Sequence, residues 1–230
     1  MSEKKTTHHI LHKQNSASPK TRIHRLKGTY FYGGAGLQGA YIQDMVTALK
    51  EVGIKNTKAG RSNNSVGQNI GIPGIALDDM VIDALAVLSL NKAEAYVTLD
   101  ISEFPLSGPQ FNLVGYSYGS IIAAIKALSY ADLYNGSVDH VVLVGAPIEQ
   151  GLLNRLQTNP GIGRVIVKNL KEQGDPIHAG MTDGDIALAS PVLGYQMVTG
   201  SGHFWYSPMN EQGKLRRRHL AKWLVQLGLR

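Results

Sequence analysis

Ser117 stands in Gly115-Tyr116-Ser117-Tyr118-Gly119, a hydroxyl with a glycine two residues to either side. Phe111-Asn112-Leu113-Val114 runs into this motif, and an Ile/Ala-rich stretch leaves it from Ser120. Strand, sharp turn and helix in that order is the setting in which a serine is presented as a nucleophile. The demand is steric. The glycines let strand and helix approach closely, while the turn lifts the hydroxyl above the sheet towards the helix N-terminus. A serine hydroxyl is a poor nucleophile until a base takes its proton. Four histidines follow it in the chain: His140, His178, His203 and His219. A carboxylate must in turn orient such a base, and Asp175, Asp183 and Asp185 are among those that follow Ser117.

The elements that must position these residues alternate β-rich with helical runs, the pattern of a parallel sheet with crossover helices. Thr29-Tyr30-Phe31-Tyr32 reads as the first strand, followed by the loop Gly33-Gly34-Ala35-Gly36-Leu37-Gln38-Gly39. Residues 41–52 read as a helix with Met45, Leu49 and Val52 at i, i+4 and i+7. Residues 59–75, rich in Gly, Asn and Ser, read as a loop and a wall of a substrate cleft. A helix is expected over 78–90, with Asp78 and Asp79 at its N-terminal end, where the dipole favours them. Residues 95–99 read as a short strand, 111–114 as the strand entering the motif and 120–133 as the helix leaving it. Val141-Val142-Leu143-Val144 and residues 164–167 supply further strands, and 178–202 read as a long, partly apolar loop. The last helix aligns Leu220, Trp223, Leu224 and Leu227 as a core stripe, with Arg216-Arg217-Arg218 on a solvated face.

From about Gly28 to Arg230 the chain resembles a small α/β-hydrolase, on the evidence of the Gly-x-Ser-x-Gly turn and the glycine loop after the first strand. Its layout is similar to that of compact serine lipases, class 3 lipases and cutinase-like enzymes. The resemblance implies an α/β-hydrolase fold: a mostly parallel sheet of about six strands flanked by helices, without a large cap domain. It also implies the chain order Ser, then Asp or Glu, then His. The family's base lies just before the final helix, where this chain has Gly200-Ser201-Gly202-His203-Phe204-Trp205-Tyr206. His140 precedes a strand at the far end of the sheet, His219 lies in the last helix, and His178 is only three residues past Asp175. The acid belongs after the next-to-last strand, which points to Asp175 in Gly174-Asp175-Pro176, with Asp183 and Asp185 as rivals. Pro176 fixes the backbone beside that carboxylate. The resemblance puts one oxyanion donor on the backbone N–H of Tyr118 and the other on that of Gly34, with Ala35 second. Where the family has a His-Gly loop this chain has Tyr32-Gly33, which leaves the second donor open by one residue.

The 230 residues fit one domain, and an apolar share of 43% can form its core without staples. No cysteine is present, which excludes disulfides and thiolate chemistry. Residues 1–27 carry Lys4, Lys5, Lys13, Lys20, Arg22, Arg25 and Lys27 against Glu3, so the remainder holds sixteen charges of each sign. This polar segment, with His8, His9 and His12, reads as a disordered basic arm on a neutral catalytic domain of residues 28–230. A neutral body argues against nucleic acid as partner, and a basic arm suits an anionic membrane surface. No stretch has the roughly 18 apolar residues of a bilayer span, and no signal-like segment follows the N-terminus. The chain is therefore expected to be cytoplasmic as synthesised. Similarity to bacterial lipase effectors would add signal-independent export and a cognate inhibitor or immunity protein as partner. The expected activity is serine-dependent hydrolysis of carboxylic esters, lipid acyl esters first, without metal or organic cofactor. A soluble thioesterase or small-ester esterase is the alternative. A reading of another class is a non-catalytic membrane- or nucleic-acid-binding protein on a hydrolase scaffold.

Overall fold

A computed structural model of the chain describes residues 25–34, 39–61 and 90–230. Gly28–Tyr32 (β1), Thr57–Ala59 (β2), Phe111–Tyr116 (β3), Val138–Val144 (β4) and Ile162–Lys168 (β5) form one five-stranded sheet. Its order is β2-β1-β3-β4-β5, and every pairing is parallel. A parallel sheet must be covered on both faces, which is why β3 and β4 are close to continuously apolar. Alternate residues sort into two core layers, as the two-residue repeat of a strand requires. Tyr30, Tyr32, Phe111, Leu113, Val141 and Leu143 pack on one side. Phe31, Val114, Tyr116, Val142 and Val144 pack on the other.

Five α-helices lie wholly within the described residues. Ala40–Glu51 (α1) and Glu211–Gln226 (α5) cover the second face and touch one another. Tyr118–Tyr134 (α2) and Gln150–Thr158 (α3) cover the first. Every residue of α2 from Tyr118 to Ala131 is buried, so this helix is mostly apolar or small all round rather than amphipathic, with Lys126 paired to Glu103. Asp183–Thr199 (α4) packs a third, small cluster through Ala189 against Ile177 and Met181. Because β1 lies between β2 and β3, the winding reverses at β1 and β3. In open α/β sheets a ligand crevice forms outside the carboxyl ends of the strands at such a reversal.

Several expectations require correction. The sheet has five strands among the described residues, against about six expected. Residues 95–99 form no strand: Val97 N–H donates to Ser129 Oγ and Tyr96 Oη to Asp132, so side chains of α2 satisfy this segment instead of a ladder. Thr57–Ala59, a short edge strand, was not expected as one. Most of residues 178–202 is helix α4, not loop. Arg217 is wholly buried rather than solvated, and it bonds Asp44 Oδ2 at 2.5 Å and the carbonyls of Tyr206 and Pro208 at 2.7 Å each. Three acceptors in fixed places offset the desolvation of its guanidinium. Residues 1–24 of the arm, the glycine loop from Ala35 to Gln38, and the helix expected over 78–90 except its last residue lie outside the described residues. Leu26, inside the stretch read as arm, is buried, and its N–H donates to Tyr130 Oη at 2.9 Å.

Candidate active site

Ser117 follows β3 directly and caps α2, with φ 55° and ψ −129°. A non-glycine residue in this region costs on the order of 1–3 kcal/mol and persists only where its surroundings enforce it. The enforcement is visible on both sides. Ser117 N–H donates to Val144 O at 2.8 Å, and Ser120 N–H donates to Ser117 O at 2.9 Å. A β-carbon on Gly115 would lie 2.3 Å from Ser120 Cα, and one on Gly119 would lie 2.3 Å from the carbonyls of Tyr32 and Gly33. The first glycine thus admits the incoming helix, and the second admits the end of β1.

Ser117 Oγ lies 2.6 Å from His203 Nε2. His203 Nδ1 lies 2.9 Å from Asp175 Oδ2, whose partner oxygen accepts the Ile177 N–H at 2.8 Å. The Asp175 side chain is fully buried and that of His203 nearly so. With Nδ1 carrying its proton towards the carboxylate, Nε2 is left as the acceptor facing the serine hydroxyl. The three residues come from the ends of β3, the turn after β5 and the loop before α5, all at the carboxyl edge of the sheet. Gly145, at φ 52°, permits the meeting: a β-carbon there would stand 3.3 Å from Asp175 Oδ2 and 3.6 Å from His203 Nδ1.

The rivals are engaged elsewhere. Asp183 pairs with Lys92 at 2.6 Å. Asp185 closes the capping box of α4 with Thr182. His140 bonds Asn112 Oδ1 at 2.9 Å in the first half of β4, away from the carboxyl edge, and His178 is exposed. His219 lies within α5. Among the described residues no cluster of three or more His, Asp or Glu is placed to hold a metal ion.

Two residues that the sequence did not single out hold the histidine. Gln196, buried on α4, accepts the His203 N–H through Oε1 and donates from Nε2 to Gly174 O, each at 2.7 Å. One side chain thereby ties the base loop to the acid turn. Tyr116 donates to His203 O, and its ring lies against the imidazole with centroids 6.1 Å apart. Burial pushes the Tyr116 hydroxyl well above its ordinary range, so it remains a donor. Arg216 donates to Gly200 O and Trp205 O and stacks over the Trp205 ring, holding the same loop from α5. Only Gln196 had a local signal: Thr182-x-x-Asp185 reads as a capping box, and a helix begun there would carry residue 196 on it.

No family model, curated protein or solved structure matches the chain. The site therefore rests on its own geometry. Gly34, two residues past the end of β1, borders the serine: a β-carbon on it would lie 3.0 Å from Ser117 Cβ and 3.4 Å from Oγ. Its N–H, however, donates to Tyr41 Oη at 2.7 Å rather than into an open oxyanion position. Ala35, the alternative, lies outside the described residues. Tyr118 is the first residue of α2, so its amide stands beside Ser117 at the positive end of the helix. The arrangement suits one chemistry, in which a hydroxyl is deprotonated by an imidazole that a buried carboxylate holds in one tautomer.

Proposed function

We propose that this chain is an α/β-hydrolase that cleaves carboxylic esters through Ser117, His203 and Asp175, with lipid acyl esters as its substrates. The observation that carries the reading is the unbroken line of contacts from Ser117 Oγ through both nitrogens of His203 to Asp175. His203 Nε2 takes the Ser117 proton as Oγ bonds to the acyl carbon, and the carbonyl π electrons move onto oxygen. The tetrahedral intermediate collapses, the C–O bond to the alcohol breaks, and His203 returns the proton to the leaving alkoxide. Water repeats the sequence on the acyl-enzyme and releases the acid. Asp175 keeps its charge throughout and stabilises the imidazolium. The Tyr118 N–H serves as one donor to the developing oxyanion.

The lipid assignment rests on α4. Leu188, Tyr195 and Val198 are 81%, 71% and 84% exposed, and Val192 and Met197 are nearly half exposed. Leu188, Val192, Tyr195 and Val198 share one helix face, and no Lys or Arg lies on α4. Gln196 on the same helix bonds the His203 N–H, so the helix that carries this solvent-facing apolar surface is anchored to the histidine loop. A contiguous apolar surface beside a site suits substrate presented in an aggregate. The basic residues of the N-terminal segment would add attraction to anionic lipid.

The test is a hydrolysis panel running from a short p-nitrophenyl ester and an acyl thioester to phospholipid vesicles. The expected result is turnover of vesicle lipid, lost by about 10⁶ in kcat in Ser117→Ala with the melting curve unchanged. Turnover confined to the thioester or the short ester would move the chain to the soluble esterases. Inertness across the panel would leave the binding-protein reading.

A further inference from the structure

Tyr41 lies in the first turn of α1, and the sequence marks it only as the start of that helix. Its ring is buried and meets Tyr116 edge-on at 6.1 Å. Its hydroxyl is not part of the core packing: it receives the N–H of Gly34, which borders Ser117, at 2.7 Å. The space one bond out from Gly34 is flanked by Ser117 Oγ at 3.4 Å and Tyr41 Oη at 3.6 Å. A side chain at 34 would fill that space. With glycine there, it adjoins both the nucleophile and the phenol.

We propose that the Tyr41 hydroxyl is an oxyanion donor of this site, taking the place expected of the Gly34 N–H. The proposal rests on the serine-hydrolase reading above. A phenol that accepts one hydrogen bond retains its own proton for donation. The Gly34 N–H polarises the phenol and strengthens the O–H as a donor. Burial pushes the Tyr41 hydroxyl up to about 12, against smaller opposing effects of the Gly34 bond and Arg217, so it keeps its proton at working pH. As Oγ bonds to the acyl carbon and the π electrons move onto the carbonyl oxygen, Tyr41 donates a hydrogen bond to that oxygen. It transfers no proton, and collapse of the intermediate restores the starting state. The relay also gives Gly34 a role, since its N–H orients the phenol instead of meeting the substrate. A donor of this kind acts on charge that exists only in the transition state, so its loss is read in kcat rather than KM.

Tyr41→Phe removes the hydroxyl and keeps the ring. With p-nitrophenyl butyrate, kcat should fall about 10²-fold, with KM changed by less than about twofold. Inhibition by butylboronic acid, which forms a tetrahedral adduct on serine, should weaken by at least about tenfold. If Tyr41 only stoppers the Gly34 N–H, the variant releases that donor, and kcat holds or rises; that result overturns the proposal. A rise in KM at constant kcat overturns it as well. Should Tyr41→Phe fail to fold, a ring-fluorinated tyrosine at position 41 keeps shape and donor. Its kcat should then match or exceed that of the unmodified chain, and a tenfold fall would contradict the role. Fluorophosphonate labelling of Ser117 in the unmodified chain separates the two readings. If that label and ester turnover are both absent, the hydrolase reading fails and the Tyr41 role falls with it. Label present with a silent Tyr41→Phe sinks the donor alone.

Discussion

Ser117 owes its position to neighbours without side chains. Gly115, Gly119 and Gly145 each leave room where a β-carbon would meet the helix, the end of β1 or the acid–imidazole pair. Steric requirements of this kind leave a mark in sequence, which is why Gly-x-Ser-x-Gly and the apolar runs beside it were legible. His203 and Asp175 were legible through a resemblance that fixes chain order and loop position. Gln196, Tyr116 and Tyr41 were not, because a buried polar atom acting on a backbone group looks in sequence like any other residue of its element. The acid assignment makes a prediction at this scale. Asp175→Asn should lower kcat by about 10⁴ by leaving the wrong imidazole tautomer. Asp183→Asn should be mild, because its carboxylate serves an exposed contact with Lys92. Asp185→Asn should leave kcat intact and cost at most about 1 kcal/mol of stability through the α4 cap. Steady-state kinetics and thermal melts on the three variants decide the matter, and a crippled Asp183 or Asp185 variant would displace Asp175.

Helix α4 is where sequence and structure part. Gly184, Pro191 and Gly194 punctuate it, and its apolar residues surround it rather than following one stripe, so periodicity gave no helix. It forms because Thr182 and Asp185 close a capping box at one end and Gly200 terminates the other at φ 61°. The helix then serves two ends: Gln196 faces inward to the base loop, and Leu188, Tyr195 and Val198 face solvent. Each end can be tested separately. Gln196→Leu removes both hydrogen bonds at similar volume and leaves the His203 N–H and Gly174 O unmet. kcat on a soluble ester should fall by about 10-fold to 10²-fold, as expected for misplacement of a catalytic group. Equal activity would show that the loop holds itself. Leu188→Ser combined with Val198→Ser should leave soluble-ester kinetics unchanged and weaken vesicle binding, by up to about 1.5–3 kcal/mol per side chain. Unchanged binding in a vesicle sedimentation assay would remove α4 from the lipid surface. Arg217 is a second residue whose element was legible and whose role was not. The triple arginine reads as a charged face, yet the helix turns its middle member inward to Asp44 and the loop beyond His203.

Across the whole molecule, alternation of β-rich and helical runs sufficed for a parallel α/β sheet, and the reversal at β1 and β3 puts Gly34 and Ser117 side by side. Strand number was less legible, because residues 95–99 have the composition of a strand but meet α2 side chains instead of a ladder. Charge is also distributed at this scale. The folded body is close to neutral, and the excess lies in the first 27 residues. Deleting residues 1–24 should leave soluble-ester turnover unchanged, since Ser117, His203, Asp175, Gly34 and Tyr118 all lie in the body. Binding to anionic vesicles should weaken by at most about 1 kcal/mol for each of the five Lys/Arg removed. The loss should fade with added salt as the Debye length shrinks. Equal loss on neutral vesicles would contradict an electrostatic role.

The central claim, that Ser117 is a nucleophile activated by His203, is tested most directly by covalent capture. A fluorophosphonate reacted with the full chain should add one phosphonyl group, and peptide mass spectrometry should place it on Ser117. His203→Ala should slow that labelling by several orders of magnitude, in keeping with loss of the activating base. An adduct on another residue, or labelling of Ser117 at the same rate without His203, would contradict the account.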